Sequence, residues 1–177
     1  PAPGLNIFAD GYCWYNAATL SITATWLIRS NMDRHFTLLV GSVLGASEYV
    51  ADAIAEALRT RGYKVTILTQ PDIDDIDEDS TWFICTSTHG AGELPDNIRA
   101  FAAQLEDEDL NDIEYFVVGL GDSSYDTFCY GAMAMATLMD KGGATLMADP
   151  LHIDVLHHPI PEDRAVEWLE PILDTLD

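Results

Sequence analysis

The chain has 177 residues, enough for one domain with a full core. Its 48% hydrophobic content excludes a disordered chain, and eight Lys plus Arg against thirty Asp plus Glu leave a net charge of -22. Nucleic acid and anionic membrane surfaces repel such a chain, while partners with basic docking faces are steered toward it.

Cys13, Cys85 and Cys129 are widely spaced and form no C-x-x-C, so neither a disulfide framework nor a zinc site is indicated. A reducing cytoplasm fits this usage. Residues 1–31 differ from the rest: only one of the thirty acids, Asp10, lies there. Gly11 to Ile28 is too polar for a convincing membrane span, and no basic start marks a signal peptide. Met32 stands where a natural start would fall. We therefore expect 1–31 to lie outside the fold; a strand or hairpin built on Ser21 to Ile28 is the alternative.

From Phe36 onward, strand and helix patterns alternate. Phe36–Val40 reads as a buried strand, and Ser47–Arg61 as a helix closed by Gly62. Lys64–Leu68 is the second strand. The acidic run Asp72–Asp79 reads as a solvated connection. Trp82–Ser87 is the third strand, followed by a helix over about Pro95–Leu105. Tyr115–Leu120 is the fourth strand, and Gly131–Lys141 a helix ended by Gly142 and Gly143. Thr145–Met147 belongs to a fifth strand. The last helix starts near Pro161 and is expected to bury Val166, Leu169, Ile172 and Leu173.

Five strands alternating with helices predict a doubly wound α/β fold: a parallel sheet, order 2-1-3-4-5, with helices on both faces. Ligands of such sheets bind beyond the strand carboxyl ends, near the switch point between strands one and three. Three polar loops follow the carboxyl ends of strands one, three and four.

The first loop runs Gly41-Ser42-Val43-Leu44-Gly45-Ala46-Ser47 and opens a helix. Unpartnered N–H groups and a positive dipole end suit an anion there, although the same residues also suit a plain turn with Ser47 as N-cap. The second loop is Thr86-Ser87-Thr88-His89-Gly90-Ala91-Gly92 and continues to Asn97. The third is Gly119-Leu120-Gly121-Asp122-Ser123-Ser124-Tyr125-Asp126-Thr127-Phe128-Cys129. His152, Asp154, His157 and His158 lack metal-ligand spacing, which favours a loop or strand-edge role.

Together the motifs G-S-x-L-G-x-x-E-Y-V-A, S-T-H-G-A-G-x-x-P-D-N and Y-D-T-F-C, with I-P-E-D and E-W-L later, resemble the flavodoxin family from about Met32 to the C-terminus. The resemblance implies flavin mononucleotide (FMN) as cofactor. Ser42, Val43, Leu44, Gly45, Ala46 and Ser47 would hold its phosphate. Thr86, Ser87, Thr88, His89, Gly90, Ala91 and Gly92 would line one flavin edge. Gly119, Leu120, Gly121, Asp122, Tyr125, Phe128 and Cys129 would line the other, with Tyr125 stacked on the ring and Asp122 near the ribityl chain or the pyrimidine edge. Gly90 matches the position whose peptide turns when the flavin is reduced, a movement that a residue without Cβ permits.

Two departures from the family pattern are visible. Leu44 stands where a hydroxyl is common, which shifts phosphate binding toward backbone N–H groups. His89 stands where Tyr or Trp is common; its alternatives are loop packing and a titration that tunes the flavin. Tyr125 and Phe128 have a plainer alternative as loop anchors, Asp122 as a turn closer, and Cys129 as packing.

The resemblance implies an electron carrier that takes electrons from a flavoprotein reductase and gives them to a redox enzyme. In short members of the family it extends to biotin synthesis, hence to biotin synthase. A reductase of small quinone or nitro compounds and a flavin-free interaction domain are the alternatives. A receiver-type signalling domain is disfavoured, because Gly41-Ser42 and Ser87-Thr88 occupy the places of its acidic residues.

Overall fold

The computed structural model describes residues 34–176. The expectations for 1–31 lie outside them. The elements are β1 (His35–Gly41), α1 (Ala46–Thr60), β2 (Lys64–Leu68), β3 (Thr81–Ser87), α2 (Asp96–Gln104), β4 (Glu114–Gly121), α3 (Tyr130–Gly142), β5 (Thr145–Leu146), β6 (Leu151–Asp154) and α4 (Pro161–Leu176).

All strand pairs are parallel, in the predicted order β2-β1-β3-β4-β5. The fifth position differs from expectation. It is filled by two segments, β5 beside Glu114 and Tyr115, and β6 beside Val118 to Gly121. The residues between them include Pro150, which has no N–H to donate to a ladder. His152 and Asp154, expected in a loop or at a strand edge, lie within β6, opposite Gly119 and Gly121.

Each central strand is buried on both faces, so the apolar runs are nearly continuous. One face sets Phe36, Leu38 and Val40 against Val50, Ile54 and Leu58 of α1 and Leu169 and Leu173 of α4. The other sets Leu39, Ile84 and Val117 against Phe101 of α2 and Met135 and Met139 of α3. Register makes one aromatic rung: Phe83 lies opposite Phe116, their rings stack at 4.7 Å, and Trp168 of α4 meets both edge-on at 6.2 Å. On α4, Ala165 is buried with Leu169 and Leu173, whereas Val166 and Ile172 are only half-buried. The small Ala165 turns toward the sheet, and the bulkier residues flank the seam.

Helix α3 lies unusually close to β4. A Cβ placed on Gly119 would stand 2.4 Å from that of Ala132. Gly119→Ala should therefore lower unfolding free energy by about 1–3 kcal/mol through overpacking. Urea unfolding reads this, and adding Ala132→Gly should recover part of the loss. An unchanged midpoint in the single variant would contradict the close approach.

Candidate functional site

The loops after β1, β3 and β4 meet at the carboxyl end of the sheet, joined by hydrogen bonds between loops. The first is held by Asn97 on α2. Asn97 Oδ1 accepts the Ser42 N–H at 3.0 Å, and its Nδ2 donates to the Val40 and Thr69 carbonyls at 2.8 and 2.7 Å. Gly41 makes the close approach possible: a Cβ there would sit 2.3 Å from Thr86 Oγ1. Ser42 Oγ then accepts the Gly45 N–H at 2.9 Å and curls the loop.

The alternative of Ser47 as N-cap is two residues off. Gly45 caps α1 in the left-handed region, at φ 92, and Ser47 lies inside the first turn. Ser47 is fully buried, yet its hydroxyl has no hydrogen-bond partner. The amides of Val43, Leu44, Ala46 and Ser47 likewise donate to no acceptor among the described residues. A buried hydroxyl and four free amides around a positive helix end are the donor set an anion requires. Leu44 is 93% exposed, so it adds nothing to that set but its backbone.

The second loop is a tight turn closed on itself. The His89 and Glu93 backbones exchange two hydrogen bonds of 2.8 Å. Glu93 Oε2 accepts the Ala91 N–H at 2.7 Å. Gly90 and Gly92 both have positive φ, 53 and 113. Thr88 fastens this loop to the third: its N–H donates to the Leu120 carbonyl, and its Oγ1 accepts the Gly131 N–H at the start of α3. Gly92 packs on the Thr127 and Tyr130 side chains.

In the third loop Asp122 is a turn closer. Its carboxylate accepts both the N–H and the hydroxyl of Ser124. Tyr125 is 64% exposed. Phe128 packs edge-on against His152 at 6.3 Å. Asp154 secures the loop from β6: Oδ1 accepts the Ser123 and Leu156 amides, and Oδ2 pairs with His157 Nδ1 at 2.6 Å. The Ser123 hydrogen bond, then that of His157, holds the Asp154 carboxyl well below the ordinary carboxylate range.

The structure thus brings the three predicted loops together but separates their residues by depth. Ser42 to Ala46, His89 to Ala91, Asp122 and Tyr125 are accessible to differing degrees. Thr86 is fully buried, with its hydroxyl donating to the Ser87 carbonyl, and Gly119 and Leu120 are interior to β4. Those three shape the floor from below, and their side positions do not reach the rim. Cys129 is buried as well. Desolvation, then the nearby Asp154 charge, pushes its thiol up to about 12, which matches the packing alternative. Sequence reasoning assigned no individual role to Asn97 or Glu93, and to Asp154 only a place in a loop or at a strand edge. Asn97 stood in a quoted motif, three residues after Leu94 and just inside a helix start, and that polar position was the available signal.

Comparison with known proteins agrees with this geometry. The flavodoxin family model matches residues 38–168. The chain belongs to the flavodoxin family. A MioC homolog of Haemophilus influenzae is 40% identical over 144 residues, 80% of this chain and 99% of that protein. The MioC protein of Escherichia coli K12 is 38% identical over 135 residues, 75% of this chain and 92% of that protein. Among solved structures, a mutant flavodoxin from Pseudomonas aeruginosa superposes with a TM-score of 0.74 at 31% identity, covering 80% of this chain and 98% of the other. Membership of the flavodoxin family implies FMN as the cofactor, and the free donors around Ser47 fit its phosphate. Among the described residues, no helix is long and apolar enough to cross a membrane.

A pH dependence follows from Asp154. Its folded value lies below the ordinary 3.8, so its stabilising contribution is complete above 3.8 and is lost as pH falls from there through the depressed value. Unfolding midpoints of the wild type should drop more steeply below about pH 4 than those of Asp154→Asn. Parallel acid limbs in the two proteins would contradict the assignment.

Proposed function

We propose that this chain is a carrier of single electrons, taking them from a flavoprotein reductase and passing them to a redox enzyme in a reducing cytoplasm. The observation that carries the reading is the buried, unpartnered Ser47 hydroxyl in a loop that converges with two others. Bound FMN supplies the electron chemistry, accepting and releasing one or two electrons; the protein supplies position and electrostatics.

Each loop has an assignment in this reading. Ser42 and Ser47, with the free amides of Val43, Leu44, Ala46 and Ser47, hold the phosphate. Loss of a hydroxyl at Leu44 leaves the backbone with more of that load. Tyr125, exposed on the third loop, covers the flavin face, and His89 stands at the other side. Gly90, at φ 53, turns its peptide when the charge on the flavin changes. Glu93 holds that turn through Ala91, so it sets the starting position from which Gly90 moves.

The surplus of acids opposes extra negative charge in the site, which makes the second electron the harder one to add. The same acids draw in partners with basic faces. The acceptor we assign is biotin synthase, a reading in line with the likeness to MioC.

Gly90→Ala tests the site. An added Cβ would meet Glu93 Oε2, and positive φ disfavours any side chain. We expect the potential of the first electron to fall and that of the second to change little, read by reductive titration. Unchanged potentials would remove Gly90 from the mechanism. Electron transfer from an added reductase should also slow as salt rises from about 0.05 to 0.5 M. NADPH oxidation with no reductase added would instead favour the reductase alternative.

A further inference from the structure

The end of β6 lies beside the third loop, and Asp154 to His158 have no part in the electron carrier as described so far. Register sets Asp154 opposite Gly121, where that loop begins, and the Val155 N–H donates to the Gly121 carbonyl at 2.9 Å. The Asp154 side chain is 15% exposed. Its Oδ1 accepts the Ser123 N–H at 3.2 Å and the Leu156 N–H at 3.1 Å. Across Ser123 to Asp126, Ser123 is the one residue hydrogen-bonded to another element among the described residues. The rest of the turn is built on Asp122, whose carbonyl accepts the Tyr125 N–H at 3.2 Å. A movement of Asp154 is therefore passed through Ser123 to Tyr125, two residues on.

His157 supplies the other half of the clamp. Its Nδ1 lies 2.6 Å from Asp154 Oδ2, and the His157 and His158 amides both donate to the Asp154 carbonyl, at 3.1 and 2.9 Å. The imidazole is 74% exposed, and its Nε2 has no partner among the described residues. An Nδ1–H can donate to a carboxylate in both neutral imidazole and imidazolium. A proton can thus join or leave Nε2 without breaking the clamp. The pair then changes from a net negative charge to none while the third loop keeps its place.

The titratable groups of the adjoining segments are Asp122 and Asp126 on the third loop, Cys129 at the start of α3, His152 in β6, His158 next in the chain, and Glu162 and Asp163 at the start of α4. Carboxyl groups ordinarily titrate well below imidazole. Burial pushes the Cys129 thiol up to about 12 and holds His152 below its usual range. His158 is the group that a test must separate from His157.

We propose that Asp154 is a positioning residue of the flavin site, and that His157, through the same carboxylate, makes the potential of the second electron depend on a proton at Nε2. This rests on the electron-carrier reading above. Negative charge added at the site favours that proton, so His157 draws one from water as an electron arrives from the reductase. The bond formed on the protein is the N–H at Nε2. By linkage, a proton already there makes the electron easier to add by the same factor. The pair thereby relieves part of the repulsion that the surplus of acids imposes.

The test uses the full chain, flavin-free and loaded with FMN, labelled with nitrogen-15. In the flavin-free protein, Asp154→Ala should shift the Ser123 and Tyr125 amide resonances, and Asp154→Asn, which keeps an acceptor, should restore them. With no substitution, the Ser123 amide should titrate at the midpoint of the His157 ring. In the loaded protein the His157 ring protons, assigned through His157→Gln, should titrate at higher pH after full reduction with dithionite, with about twofold greater proton affinity. The potential of the second electron should rise as pH falls through the His157 midpoint. That step should be absent from His157→Gln and retained in His158→Gln. One His157 midpoint in both oxidation states, or a step that survives His157→Gln, would overturn the role of His157. A Ser123 amide indifferent to the His157 midpoint, or static amides in Asp154→Ala, would overturn that of Asp154. A chain that takes up no FMN would remove the electron-carrier reading; one that takes it up and fails these measurements would remove this inference alone.

Discussion

Asn97 connects three backbone groups: the Val40 carbonyl near the end of β1, the Thr69 carbonyl just after β2, and the Ser42 amide that opens the anion loop. One side-chain amide has two donors and an acceptor, and here all are used. The loop it holds must leave β1 without a side chain at Gly41, because Thr86 of β3 lies directly against that point. Together the two residues fix where α1 begins, hence where its dipole and free amides point. The second and third loops are then fastened to the first through β3, Thr88 and the start of α3. Movement of Asn97 would therefore be felt at all three loops.

The fold was legible because its physics is local and repetitive. Apolar runs of strand length, each followed by a helical period, admit few arrangements once crossovers must be right-handed. The strand order followed, and the helix ends marked by Gly62 and Gly143 fell where glycine chemistry placed them. The fifth position was less legible. A two-residue segment such as Thr145–Leu146 carries no periodicity, and the alternation of Leu151 and Ile153 with His152 and Asp154 is too short to separate a strand from a loop.

The site was legible as three loops and not as individual contacts. Residue type marked Ser42, Gly45 and Gly90. Depth did not show in the sequence: Thr86 carries a hydroxyl like its neighbours, yet strand parity turns it inward to meet Gly41. The plainer alternative had Ser47 as a cap, and the helix instead starts two residues earlier on Gly45, leaving the hydroxyl buried without a partner. The contributions of Asn97 and Asp154 depend on residues 28 to 57 positions away, which no local pattern contains.

The most direct measurement compares the affinities of FMN and riboflavin for the flavin-free protein. These ligands differ only in the phosphate. If the α1 end grips that group, FMN should bind about a hundredfold or more tightly, as two charge-assisted hydrogen bonds require. Asn97→Ala should narrow the gap by weakening FMN and leaving riboflavin nearly unchanged. Equal affinities in the wild type would contradict the account at its centre.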